Sequence, residues 1–267
     1  MPSLEENQLA WSAVHDWSRA GEEWSEWWGS AEAQWRWSLL PRIGTMLPAS
    51  SILEIAPGYG RWTHYLREQC DHLTVVDLSE RCIDVCRERF AGDERISYFV
   101  NDGRSLAMLP DGSIDFVFSF DSLVHAEADV MREYIAQLAR KLTPHGIGFI
   151  HHSNWGAYPA YHRVMDVIPS RKLRKGLAKL QIMDGESHWR ARSMTAELFE
   201  RYAREAGLAC IGQELVNWGV HRLCDCFSVF VPAASPRARP NQLLRNPGFM
   251  EEAALIKRIA RIYRDAP

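Results

Sequence analysis

None of the six cysteines pairs with another at C-x-x-C spacing, and no H-E-x-x-H occurs, so the sequence carries no sign of a zinc or dithiol site and no metal is expected. Cys82 and Cys86 lie one helical turn apart, and Cys224 and Cys226 share one strand face. Both pairs read as buried thiols that pack as small hydrophobes. No stretch approaches the roughly 20 apolar residues that a membrane span needs. Met1 to Gln8 has neither a basic start nor an apolar run, which leads us to expect a cytoplasmic protein without an integral membrane segment. An excess of one charge is also missing. Lys and Arg number 31 against 34 Asp and Glu, a formal net charge of −3, so the balance gives no reason to expect nucleic acid as partner. Internal repeats are absent. A chain of 267 residues with 46% hydrophobic and 24% charged content can bury a real core, as one large domain or one domain with appendages.

Tryptophan is abundant instead. Seven of the 11 fall in the first 48 residues, and Trp17, Trp24, Trp28 and Trp35 recur at spacings of seven, four and seven. That spacing predicts one face of a helix or helix pair, broken near Gly21 or Gly29. Such a stripe packs onto the body of the fold, or one or two of its rings line a pocket, where flat rings suit a sugar or an aromatic ligand.

The most informative stretch runs from Ser51 to Ser79. An apolar strand (Ile52 to Ala56) meets the turn Pro57-Gly58-Tyr59-Gly60, then a helix (about Trp62 to Gln69), then a second apolar strand (Leu73 to Val76) closed by Asp77. Two glycines allow close backbone approach to a ligand, the helix start offers free N–H groups, and an acid at the next strand tip suits a ribose hydroxyl pair. This is a nucleoside-binding half-site. A dinucleotide fingerprint would place a third glycine where Thr63 stands.

Further along, Leu78 to Phe90 reads as a helix capped by Ser79, Ile96 to Val100 as a strand, and Ile114 to Phe120 as a strand covered on both sides. Val130 to Leu142 has helical spacing, and Ile147 to Ile150 is the fifth strand, followed by His151-His152-Ser153-Asn154. Trp155 to Ser193 shows no sheet pattern and carries Arg163, Arg171, Lys172, Arg174, Lys175 and Lys179. Thr195 caps a helix to Ala206, Leu208 to Val216 and Asp225 to Val231 are strands, Pro232 to Pro240 is a linker, and Phe249 to Tyr263 is a last basic helix that suits docking on a second copy in a homo-oligomer.

An acid, three residues and then G-x-G, as in E-I-A-P-G-Y-G, resembles the first motif of the class I S-adenosylmethionine-dependent methyltransferases. The segment Ile114 to Phe120 and L-T-P-H-G-I-G-F-I resemble later motifs of that family, with His145 in place of a usual glycine. The resemblance covers about Leu40 to Val231. It implies an α/β fold: a Rossmann-like, seven-stranded, mostly parallel sheet with an antiparallel last strand and helices on both faces. Residues 1–48 would be a Trp-rich helical cap, 49–231 the core with 155–193 as an acceptor lid, and 232–267 a linker and helix. It further implies S-adenosylmethionine contacts at Glu54, Ala56, Gly58, Gly60, Asp77, Leu78, Asp102, Gly103 and Phe120, with Asp77 on the ribose and Asp102 on the adenine amino group.

The implied reaction moves a methyl group to a small-molecule hydroxyl, with a sugar or glycan precursor, anionic if the basic lid meets it, as the expected acceptor. A hydroxyl must lose its proton, and imidazole is the economical base at neutral pH. By the resemblance His125, just past the fourth strand, is the first candidate, His152 and His151 follow, and Asp121 would orient whichever acts. N-methylation of a small amine in an aromatic cage and a non-catalytic cofactor-binding module are the competing readings.

Overall fold

The computed structural model describes residues 3–168 and 189–264. Eight strands form one sheet: β1 (Ala49–Ile55), β2 (Cys70–Asp77), β3 (Ile96–Val100), β4 (Ile114–Ser119), β5 (Leu142–Ser153), β6 (Leu208–Val216), β7 (Asp225–Pro232) and β8 (Leu243–Asn246). Their order is β3-β2-β1-β4-β5-β7-β6-β8, with β7 antiparallel to β5 and β6 and the other pairings parallel. Strand order reverses between β1 and β4, the switch point beyond whose strand tips an α/β sheet holds its ligands.

Seven strands were expected and eight are present. The extra one, β8, comes from the tail after Pro240 and pairs parallel with β6 at the sheet edge, and the antiparallel β7 lies inside, between β5 and β6. Four residues, with Leu243 and Leu244 both exposed, give no alternation from which a strand could be read. The helix Phe249–Arg264 then packs back, burying Phe249 and Ala253 fully. Arg42 ties the tail down, donating to both carboxylate oxygens of Glu214 on β6 at 2.7 and 2.8 Å and to Glu252 at 3.1 and 3.2 Å.

Strand parity assigns the core. On one face Ile52, Phe116, Phe118, Phe149 and Phe227 pack with Trp28, Trp35 and Trp62; on the other Leu53, Val117, Ile150 and Phe230 pack with Met131, Leu138 and Phe199. Side chains alternate with a period of two, so β4 is apolar throughout because both of its faces are covered. The same parity separates His151, beside Phe120 and Phe227, from His152, stacked on Phe199 at 4.5 Å. Both histidines lie inside β5 rather than after it, because β5 runs on against β7 as far as the Ser153–Asp225 pair.

The tryptophans do not form one helical face. Gly21 and Gly29, with φ of 85° and 100°, break the segment into short helical turns. Trp28 and Trp35 join the core, whereas Trp11, Trp17 and Trp24 cover the strand tips of the switch point. Of the segment expected as a lid, Trp155–Ala157 and the helix Pro159–Val167 are described. The basic run from Arg171 to Lys179 and Met183 to His188 lie outside the described residues. Five of the six cysteines are buried and all are free. Among the described residues no helix is long and apolar enough to cross a membrane, and no group of three metal-ligating side chains occurs.

Candidate active site

A cavity lies off the C-terminal tips of β1, β2 and β4. The sheet side is walled by Ala56, Gly58, Asp77, Leu78, Phe120 and Asp121, and the roof is made of Leu4, Asn7, Trp11, Trp17 and Trp24. Backbone strain concentrates here. Among the described residues four that are not glycine have positive φ: Ala20 (52°), Ala56 (59°) and Asp121 (63°) line the cavity, and Trp189 (41°) holds a residue that does. Each such residue costs on the order of 1–3 kcal/mol, a cost that persists where surrounding structure and function hold it in place.

Asp77, at the end of β2, accepts from the Ser79 N–H at 2.8 Å and the Gly58 N–H at 3.3 Å. Burial pushes its pKa up to about 6, and the N–H donors only partly offset that. Gly58 and Gly60 need positive φ (58° and 79°), and neighbouring rings forbid a Cβ at either: Trp17 would stand 2.8 Å from one at Gly58, and Phe90 2.6 Å from one at Gly60. Trp17 also stacks on Tyr59 at 4.3 Å, so the cap lies directly on the glycine turn.

Of the residues expected to hold a cofactor, Ala56, Gly58, Asp77, Leu78, Gly103 and Phe120 line the cavity, whereas Glu54, Gly60 and Asp102 do not. Glu54 is buried beneath the turn, where it accepts from Thr63 Oγ1 at 2.5 Å. The residue replacing a third glycine is thus bound to the motif's own acid, whose pKa burial raises to about 8. Asp102 Oδ1 accepts from the N–H groups of Arg104 and Ser105 at 2.9 and 2.6 Å, a local turn. A buried acid for hydroxyls, a shaped turn and a largely apolar enclosure fit a nucleoside cofactor.

Three of the four candidate catalytic residues are histidines, and the fold treats them differently. His125 lines the cavity. Its Nδ1 lies 2.8 Å from the Trp189 carbonyl. A carbonyl only accepts, so Nδ1 carries the proton and Nε2 the lone pair. Burial, with the charge of Arg190 adding to it, lowers its pKa to about 4, keeping the ring neutral at physiological pH. His151 and His152 do not line the cavity. His152 Nε2 pairs with Ser228 Oγ at 2.8 Å, and burial lowers its pKa to about 4.

His151 has a different task. Its Nδ1 accepts from the Asp121 N–H at 3.1 Å, so its protonated Nε2 lies 3.2 Å from Asp225 Oδ2. Arg190 donates to both oxygens of Asp225, at 3.0 and 2.7 Å. Burial opposes ionisation of Asp225, yet Arg190 and then His151 hold its pKa well below the usual carboxylate range. This buried chain supports the cavity at two points. It fixes the Asp121 backbone through His151, and it fixes the irregular segment of residues 189–191, whose Trp189 carbonyl orients His125. Asp121 itself pairs with Arg61 at 3.0 Å instead of with an imidazole.

Arg61, Asn7 and the Arg190–Asp225 pair were missed from the sequence. Arg61 directly follows the glycine turn and is buried between Trp24 and Trp62, with its guanidinium 5.4 and 4.5 Å from their rings. The one available signal was Asp225, an acid opening an otherwise apolar strand.

The methyltransferase domain family matches residues 52–146, the segment that carries β1 to the start of β5. Over 68 residues the chain is 38% identical to a ribosomal RNA small subunit methyltransferase A of Geobacter sulfurreducens, covering 24% of this chain and 25% of that one. Over 119 residues it is 28% identical to phosphoethanolamine N-methyltransferase 1 of Triticum aestivum, covering 42% and 24%. The chain thus spans about a quarter of the length of these curated relatives. An S-adenosylmethionine-dependent methyltransferase of Leishmania major shares the fold, with a TM-score of 0.55 at 12% identity, covering 85% of this chain and 82% of that one.

Proposed function

We propose that the protein transfers a methyl group from S-adenosylmethionine to a hydroxyl of a small ring-bearing molecule, a sugar or glycan precursor in the first instance, a reading supported by the match of residues 52–146 to the methyltransferase domain family. The observation that carries this reading is His125: a neutral imidazole on the wall of the cavity that holds Asp77, with Nδ1 committed to a carbonyl and Nε2 carrying the lone pair.

When bound, the cofactor supplies an activated sulfonium methyl, so the chain need only bind, align and deprotonate the acceptor. Asp77 would take the ribose hydroxyls. His125 Nε2 would accept the acceptor's hydroxyl proton, and the resulting imidazolium would keep its Nδ1–H on the Trp189 carbonyl. Trp11 and Trp24, whose rings meet edge-on at 6.0 Å, give the acceptor flat apolar walls. The Arg61–Asp121 pair offers it fixed polar groups with no net charge. The roof of residues 4–24 favours a small acceptor over a polymer.

The indole cluster also supports a second reading, N-methylation of a cationic amine held against Trp11, Trp17 and Trp24. Calorimetric titration with S-adenosylhomocysteine tests the shared premise. Wild type should bind it, and Asp77→Ala should weaken binding at least about tenfold, for two lost hydrogen bonds to an ionised group. Undiminished affinity in the variant would take Asp77 out of the site. An acceptor screen with sugars and amines side by side then separates the two readings.

A further inference from the structure

Asn7 lies on the helix Leu4–Leu9, is 6% exposed and lines the cavity. One end of its amide donates to the His125 carbonyl at 3.3 Å. Because a carbonyl can only accept, that end is the nitrogen, and Oδ1 is the end left buried with no partner among the described residues. An unpaired buried acceptor costs on the order of 1–3 kcal/mol, a cost that a bound donor would remove.

The neighbours of Asn7 say which donor. Leu4, one turn earlier on the same helix, would stand 2.9 Å from a Cβ at Gly103, and Leu78 Cβ lies 3.6 Å from the same point. Gly103 and Leu78 follow the ends of β3 and β2, so this helix roofs the part of the cavity on the β2–β3 side, beyond Asp77. Ala126, Val130 and Tyr134 also line the cavity, which leaves it mainly apolar walls suited to a flat purine. A ribose on Asp77 would present its base to this part of the cavity. Asp102, the acid expected to receive the amino group, takes two backbone N–H groups on its Oδ1, is exposed and does not line the cavity.

We propose that Asn7 Oδ1 accepts the hydrogen bond of the cofactor's purine amino group, so that the N-terminal cap, not the β3 loop, distinguishes adenine from other purines. This rests on the S-adenosylmethionine reading above. The test compares, by calorimetry on the full chain, S-adenosylhomocysteine with S-inosylhomocysteine, which bears a carbonyl where the amino group stands. Wild type should prefer the adenosyl compound by about tenfold or more, the worth of one desolvated hydrogen bond. Asn7→Ala should bring that ratio close to one, and Asp102→Ala should leave it unchanged. Loss of the Asn7 bond to His125 weakens both ligands alike, so the ratio isolates the amino contact from any general loosening of the cap. Full discrimination in Asn7→Ala, or its loss in Asp102→Ala, would overturn the assignment while leaving the cofactor intact. Failure of wild type to bind either compound would overturn the cofactor reading and the assignment together.

Discussion

β4 and β5 are neighbouring parallel strands, and each brings histidine near its C-terminal end, but the fold uses them in opposite ways. At the end of β4 the chain leaves the sheet at Asp121, with φ of 63°, and residues 121–126 turn over the cavity and bring His125 to its wall. β5 continues through Ser153 because β7 pairs with it residue by residue, and its two histidines are sealed in the interior at 0% exposure. A histidine at a free strand end can meet a ligand. One inside a paired strand must find its partners within the protein, as His152 Nε2 does in Ser228 Oγ and His151 Nδ1 in the Asp121 N–H. The difference lies in what each strand end pairs with, not in the residue type.

The contrast can be broken most severely at Asp225. Asp225→Ala removes the buried carboxylate that both Arg190 and His151 face, and truncating one member of a buried ion pair costs about 3–5 kcal/mol. Chemical denaturation should show a loss of that size, and a change below about 1 kcal/mol would mean that the β5–β7 interior does not depend on this ion pair. At the β4 end the expected effect is kinetic. His125→Gln should lower the methyl-transfer rate about a hundredfold or more, the usual worth of a general base, with affinity for S-adenosylhomocysteine within about twofold of wild type. Unchanged turnover would remove the base role from His125.

The smallest effect concerns the pH response of the interior. The folded pKa of His152 is depressed to about 4 from an ordinary 6.5, so its contribution to stability is present above pH 6.5 and is lost as pH falls toward 4. His152→Gln cannot take up that proton. Between pH 6.5 and 4 the melting temperature of the variant should fall less than that of wild type, by about 2–4 °C per kcal/mol of protonation penalty removed. Parallel curves would show that His152 does not titrate against its burial.

Local signals carried the reading wherever a short segment sufficed. E-I-A-P-G-Y-G, the acid at Asp77, the Ser79 and Thr195 caps and the strand Ile96–Val100 all depend on residues close in sequence, and each has its expected place. The cap was harder to read: the chain breaks at Gly21 and Gly29, near the expected places, but the turns there send Trp28 and Trp35 into the core and Trp17 and Trp24 over the cavity instead of keeping one shared face. Asn7, Arg61 and Arg190 gave no motif, since each acts through a partner far along the chain: His125, Asp121 and Asp225 respectively.

By itself the sequence determined a strand, glycine turn, helix and second strand closed by an acid, on a mostly parallel α/β sheet, because these are local chemistry with one common geometry. Only the tertiary structure decided which histidine lines the cavity, which tryptophans roof it, and that the tail adds an eighth strand. Those outcomes depend on pairing between distant segments, β5 with β7 and β6 with β8, and on which face of a two-period strand each side chain takes.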